Sequence, residues 1–78
     1  MTAFEVIQER GWIQFAYSSP DGVCLSQALT QAYPIWLQYA HAHWKLRKLL
    51  GGVGLVEWND YPGRTQEEVL AILQEAGV

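Results

Sequence analysis

The strongest nucleophile in this 78-residue chain is its single cysteine, Cys24. It stands just before a predicted helix, where the helix dipole favours a thiolate. His41 or His43 would serve as the base, with Asn59 or Asp60 orienting it. The alternative is an inert thiol buried in an apolar run. Because a cysteine hydrolase also needs a substrate cleft, which is hard to build from 78 residues, we assign no catalytic residue.

The two histidines are also candidate metal ligands. His41 and His43 are two residues apart, so on a helix they point in very different directions. Zinc-binding pairs on helices are spaced four apart, and structural zinc sites use more than one cysteine. We therefore predict no metal site and no cofactor.

A polar loop is predicted at residues 58–65, which combine Trp58, Asn59, Asp60 and Arg64 with a Pro-Gly turn. As a folding device, the Trp packs the loop, Asn59 and Asp60 bind backbone amides, and Arg64 pairs with Asp60 or with a helix C-terminus. Thr65 then caps the last helix. As a functional device, Trp58, Asn59, Asp60 and Arg64 would form a small polar pocket for a ligand. We favour the folding role and keep the pocket as the alternative.

The longest predicted helix covers residues 34–50 and has more than one apolar side. At 100° per residue, one broad arc forms the core side. Its members are Ile35, Tyr39, Ala42, Leu46, Leu49 and Leu50. Gln38, His41, Lys45 and Lys48 form a solvated stripe on the opposite side.

A second apolar seam runs beside that stripe. Leu37 and Trp44 form it, Trp36 widens it, and Arg47 and Lys48 lie at its edge. Either another part of the chain covers this seam, or a partner does, since aromatic anchors beside cations are typical of interfaces. Our predicted protein-binding residues are Trp36, Leu37, Trp44, Arg47 and Lys48.

Composition narrows the compartments and partners. Eight acidic residues against five basic ones give a net charge of −3, so we predict no general nucleic-acid binding. The cations around Trp44 suit the dipole at a helix C-terminus better than they suit a nucleic-acid stripe. The uncharged stretch 23–44 contains Ser, Thr, Gln and His, so we expect no membrane span. One cysteine and no apparent signal peptide indicate the cytoplasm.

The remaining patterns predict the architecture. Helices are expected at 2–10, 27–33, 34–50 and from Thr65 onward, with a strand at 12–17, a turn at 18–22 and a returning strand at 23–25. Ser26 is the expected cap of the second helix, and residues 55–58 are expected to be extended. The fold class is therefore α+β, with about four helices packed on a short antiparallel β-hairpin in a single domain, 1–78.

The run Trp58–Thr65, W-N-D-x-P-G-R-T, with the Q-E-E-V-L that follows it, resembles a segment of uncharacterised small proteins of actinobacteria and their phages. Gly11-Trp12 and the segment 22–25 also resemble this family, whereas residues 32–53 do not clearly match. The resemblance implies a bacterial or phage origin and an intracellular protein, and it implies no activity.

We therefore predict a small intracellular non-enzymatic protein-binding module. In a phage it would be an accessory protein that binds and modulates a host or defence protein. A homo-oligomer could use the same surface. The alternative is a small ligand binder, or a cysteine-dependent enzyme, that uses Cys24, the loop of Trp58, Asn59 and Asp60, and Arg64.

Overall fold

A capping box starts helix α1, Ala3–Arg10, in the computed structural model, which describes residues 1–78. The Glu5 N–H donates to Thr2 Oγ1 at 3.1 Å, and the Thr2 N–H donates to Glu5 Oε1 at 2.8 Å. That second bond lowers the pKa of the Glu5 carboxyl. Gly11, with φ 89°, ends the helix. The predicted first helix is thus confirmed at both ends.

The last helix, α5 (Gln66–Ala76), begins in the same way. Thr65 accepts from the Glu68 N–H, and Glu68 accepts from the Thr65 N–H at 3.0 Å, which lowers the pKa of Glu68. Gly77 takes the left-handed conformation that ends many helices. Both T-x-x-E boxes therefore act as local sequence signals.

The β-hairpin is shorter than predicted. Strand β1 is Ser18–Ser19 and strand β2 is Gly22–Val23, paired antiparallel with Ser18 opposite Val23. The predicted strand at 12–17 is wrong, because only Trp12 forms a bridge, a parallel one to Val23. The backbone of that segment leaves the sheet to meet a distant loop.

The remaining helices depart from the predictions in detail. Helix α2 (Leu25–Ala32) is capped by Cys24 rather than Ser26, and helix α3 (Trp36–Leu49) begins after Pro34 instead of at it. Residues 55–58, expected to be extended, belong to a short fifth helix, α4 (Leu55–Asn59). The α+β class is confirmed, with five helices where about four were predicted.

One apolar cluster joins these elements. Helix α1 packs on α2 and α5, and α3 packs on α5 and α2. The buried members of the apolar cluster are Ala3, Val6, Ile7, Val23, Leu25, Ala28, Leu29, Ala42, Leu46, Leu50, Leu55, Val69, Leu73 and Val78. Of the predicted core arc of α3, Ala42, Leu46 and Leu50 are buried and Tyr39 is half-buried, whereas Ile35 and Leu49 are exposed. None of the five helices has the length and apolar character required to cross a lipid bilayer.

Candidate functional site

Asn59, at the end of α4, is completely buried and is the only buried polar residue. Its Oδ1 accepts from Trp12 Nε1 at 2.6 Å and from the Leu25 N–H at 2.9 Å. Its Nδ2 donates to the Ile13 carbonyl at 3.1 Å and to Asp60 Oδ1 at 3.0 Å. All the hydrogen-bonding capacity of this amide is therefore used inside the protein.

The neighbouring side chains complete the attachment of residues 12–15 to this loop. Gln14 Nε2 donates to the carbonyls of Asn59 and Tyr61 at 3.1 and 2.9 Å. Asp60 Oδ1 accepts from the Phe15 N–H at 2.9 Å. Because the Ile13 carbonyl and the Phe15 N–H bond to Asn59 and Asp60, these backbone groups do not pair with a neighbouring strand.

Arg64 is held on the other side of the loop. Its guanidinium lies over the Trp58 ring, with Cζ 3.8 Å from the ring centroid. Its Nε donates to the Trp58 carbonyl at 3.0 Å, and Nη1 forms an ion pair with Glu68 at 3.0 Å. Arg64 therefore does not pair with Asp60, which was one of the two partners the sequence suggested for it.

These contacts assign the Trp58 carbonyl, the Asn59 amide and the Arg64 guanidinium to the fold, and Asp60 joins them through Oδ1. Of these four residues, Asp60 is the one that also lines a hollow. The hollow has a volume of about 210 Å³, and its other walls are Phe15, Ala16, Tyr17, Cys24 and Val56. Phe15 is 74% exposed, and it adopts φ 65°. The sequence thus identified Asp60 as a candidate binding residue but did not identify Phe15, Tyr17 and Val56 as its neighbours. Residues 15 and 60 are joined across 45 positions, and no local pattern signals such a contact.

Cys24 lies at the base of this hollow and is only 3% exposed. Its Sγ accepts from the Gln27 N–H at 3.4 Å, as the cap of α2. His41 lines a different hollow, on the side of Tyr33 and Val78. No three His, Cys, Asp or Glu side chains gather anywhere in the chain. The thiol therefore acts as a helix cap in this structure.

We expect the folded protein to protect this thiol from alkylation. Iodoacetamide should modify Cys24 at least about a hundredfold more slowly in buffer than in urea, because the reaction requires a local opening of the α2 N-terminus. Mass spectrometry of timed samples measures both rates, and the urea-unfolded chain is the control. Equal rates would show an accessible thiol and would favour the cysteine chemistry considered from the sequence.

The outward side of α3 presents the predicted seam to solvent. The exposed fractions are 73% for Trp36, 72% for Leu37 and 60% for Trp44. Leu37 and Trp44 lie two turns apart, opposite the buried Ala42 and Leu46. No other part of the chain covers them. We call Trp36, Leu37, Trp44, Arg47 and Lys48 the α3 face.

The cations of the α3 face lie beside Trp44 and at the C-terminal end of the helix. Lys48 Nζ lies 5.0 Å from the centroid of the Trp44 ring, and Arg47 Nε donates to the Gly52 carbonyl at 3.2 Å. With Lys45, α3 carries three of the five basic residues and none of the eight acidic ones. The α3 face is therefore apolar and basic on an otherwise acidic protein.

Comparison with protein families finds a match over nearly the whole chain. The model of a family of unknown function, DUF6197, matches residues 2–77. None of the curated proteins and none of the solved structures matches the chain.

Proposed function

The chain belongs to the DUF6197 family of unknown function, and we propose from its geometry that it is a small, non-enzymatic protein-binding module. It engages its partner through the α3 face. The observation that carries this proposal is the exposure of Trp36, Leu37 and Trp44 on one side of a single helix.

Large apolar side chains that stay in water forgo the free energy that their burial would provide. Burying a large apolar side chain contributes about 1.5–3 kcal/mol. Three such side chains on one face therefore forgo much of that free energy while they stay in water. Trp and Arg are also the residue types in which binding energy concentrates at interfaces. A protein partner that covers Trp44 and Leu37 would gain this free energy of burial.

The charge pattern favours a partner with an acidic rim over a second copy of the chain. A symmetric contact between two α3 faces would bring Lys45, Arg47 and Lys48 of both copies to one interface, with no carboxylate from α3 to pair with them. An acidic rim around an apolar centre would complement the α3 face instead. We accordingly propose a monomer in isolation that binds a different protein.

The finer parts of the proposal extend the resemblance to actinobacterial and phage proteins. In that setting the module acts in the bacterial cytoplasm. Its partner is a host or defence protein whose activity it modulates. The support for this step is the W-N-D-x-P-G-R-T segment at Trp58–Thr65.

Site-specific photo-crosslinking in bacterial cells tests the α3 face. Benzoylphenylalanine placed at Leu37 or Trp44 should give a defined adduct with another protein. The same group at Gln8 on α1 or Glu75 on α5, both exposed elsewhere, should give none. Equal adducts from all four positions would contradict the proposal, and an adduct of the chain with itself would replace it with a homo-oligomer.

The double variant L37A/W44A measures how much Leu37 and Trp44 contribute to partner binding. We expect its free energy of unfolding to stay within about 0.5 kcal/mol of the parent, because both side chains are exposed. Its ability to compete for the crosslinked partner should fall at least about tenfold, since each anchor carries part of the binding energy. Gln38→Ala, an exposed change on the same helix, is the control and should compete like the parent. Undiminished competition by L37A/W44A would count against the α3 face.

A further inference from the structure

A second candidate binding surface lies on the side of α4. The hollow described above lies between residues 15–17 and α4, and none of its lining residues belongs to α3. We call it the aromatic hollow, with walls formed by Phe15, Tyr17 and Val56 and with Cys24 and Asp60 completing it. We propose that it binds an alkylammonium group, carried either by a small amine or by a lysine side chain of a peptide.

The first support is that the Asp60 carboxylate is held in one orientation and has no cationic partner in its own chain. Asp60 Oδ1 accepts from the Phe15 N–H and from Asn59 Nδ2, which hold the carboxylate in one orientation. The only ion pair in the structure joins Arg64 and Glu68. Asp60 is therefore a partly buried, fixed negative charge without a cation from its own chain, and its position in the hollow favours a cation from outside.

The second support is the backbone of Phe15. It is the only residue other than glycine with a positive φ, 65°, a conformation that L side chains seldom adopt. The bond from its N–H to Asp60 maintains this conformation, and the result is a large apolar ring facing solvent. Strained backbone with an exposed aromatic side chain gains nothing for the core, and such outliers cluster at binding sites.

The third support is the match between the wall chemistry and one class of ligand. Aromatic rings attract cations through the negative potential of their faces, and cages of aromatic residues recognise alkylated ammonium groups. Phe15 and Tyr17 supply two rings, and Asp60 supplies the counter-charge. A volume of about 210 Å³ is smaller than that of the usual drug-sized pocket. It therefore suits an ammonium headgroup and not a large molecule.

An NMR titration of the ¹⁵N-labelled protein tests this inference, with the Phe15 amide as the reporter next to Asp60. Choline should shift the Phe15 and Tyr17 amide signals with a Kd on the order of 1–10 mM, because each cation–π contact at an exposed site contributes only about 0.5–1 kcal/mol. Its neutral isostere 3,3-dimethylbutan-1-ol should bind at least about tenfold more weakly, because it lacks the charge that Asp60 attracts. Equal shifts from the alcohol would overturn the proposal, as would the absence of any shift at Phe15.

Two sources of the ammonium group are distinguished by the choice of probe. Nα-acetyl-lysine methylamide and its trimethylated form represent a peptide side chain, whereas choline represents a free amine. Tighter binding of the lysine amides would assign the aromatic hollow to a peptide, and tighter binding of choline would assign it to a small metabolite. Either order supports recognition of an alkylammonium group.

Two variants separate binding from folding. Asp60→Asn removes the charge but keeps an oxygen that accepts from the Phe15 N–H, so it should stay folded and bind choline at least about tenfold more weakly. Glu75→Gln, on the exposed side of α5, makes the same change in net charge and should bind like the parent. Equal weakening by the two variants would reduce the effect to net charge and refute the site.

Phe15→Gly adds a readout that a merely structural role would not produce. Glycine adopts φ 65° without strain, so the urea midpoint should be unchanged or raised even though a large side chain is removed. Choline binding should be lost at the same time. A lowered midpoint with binding intact would show that Phe15 serves the fold and not the ligand.

Discussion

Replacing Gly22 with alanine is expected to lower the free energy of unfolding by more than about 3 kcal/mol. A Cβ on Gly22, whose φ is 152°, would lie 2.5 Å from the Gly11 carbonyl carbon and 2.7 Å from the Trp12 nitrogen. These are backbone atoms, and the Val23 N–H donates to the Gly11 carbonyl at 3.1 Å in the same crossing. The chain therefore cannot relieve the clash without separating β2 from the end of α1.

The matched control for this substitution is Gly52→Ala. Gly52 also has a positive φ, 87°, but no atom lies within 4 Å of the position that its Cβ would take. Only the conformational cost remains, about 1–2 kcal/mol. Urea denaturation followed by tryptophan fluorescence measures both variants. A G22A protein as stable as G52A would mean that the close approach of Gly11 and Gly22 does not hold in solution.

Replacing Asn59 with alanine is the second large change, and we expect a loss of about 3–5 kcal/mol. The substitution leaves the Trp12 indole N–H, the Leu25 N–H and the Ile13 carbonyl without their partner in a buried site. Each unsatisfied buried group costs about 1–3 kcal/mol. The free energy of unfolding from urea titration provides the measurement. At 78 residues, such a loss approaches the whole stability of the domain.

Gln14→Ala provides the comparison within the same network. Gln14 also bonds the loop, through the carbonyls of Asn59 and Tyr61, but it is only half-buried and water replaces its amide. We expect a loss of about 0.5–1.5 kcal/mol. If N59A and Q14A cost the same, the buried amide is not the centre of the network and the assignment of this loop to folding fails.

The two proposed surfaces are independent in their chemistry. The α3 face is apolar and basic, whereas the aromatic hollow is lined by one carboxylate and two aromatic side chains. Variants of one should leave the other unaffected, because no residue is shared between them. An L37A/W44A protein should therefore still bind choline, and an Asp60→Asn protein should still be captured by the partner of the α3 face.

Signals that act over a few residues were sufficient to predict much of this fold. The T-x-x-E boxes at Thr2 and Thr65 place the starts of α1 and α5, and Gly11 ends α1, because capping bonds join residues three apart. The apolar period of α3 identifies Ala42 and Leu46 as core. It also identifies Trp36, Leu37 and Trp44 as residues outside the main core arc, and the structure leaves them exposed.

The tertiary structure alone decided the path of residues 12–17 and the chemistry around Asp60. Alternating aromatic residues favour a strand there. The side chains of Asn59 and Asp60, 46 and 45 positions away, instead bond the Ile13 carbonyl and the Phe15 N–H, which a neighbouring strand would have bonded. The backbone then turns at Phe15 and forms the aromatic hollow with α4. Local patterns encode only contacts between near neighbours. The hydrogen-bond partners of a buried amide such as Asn59 are instead determined by the groups that the completed fold places beside it.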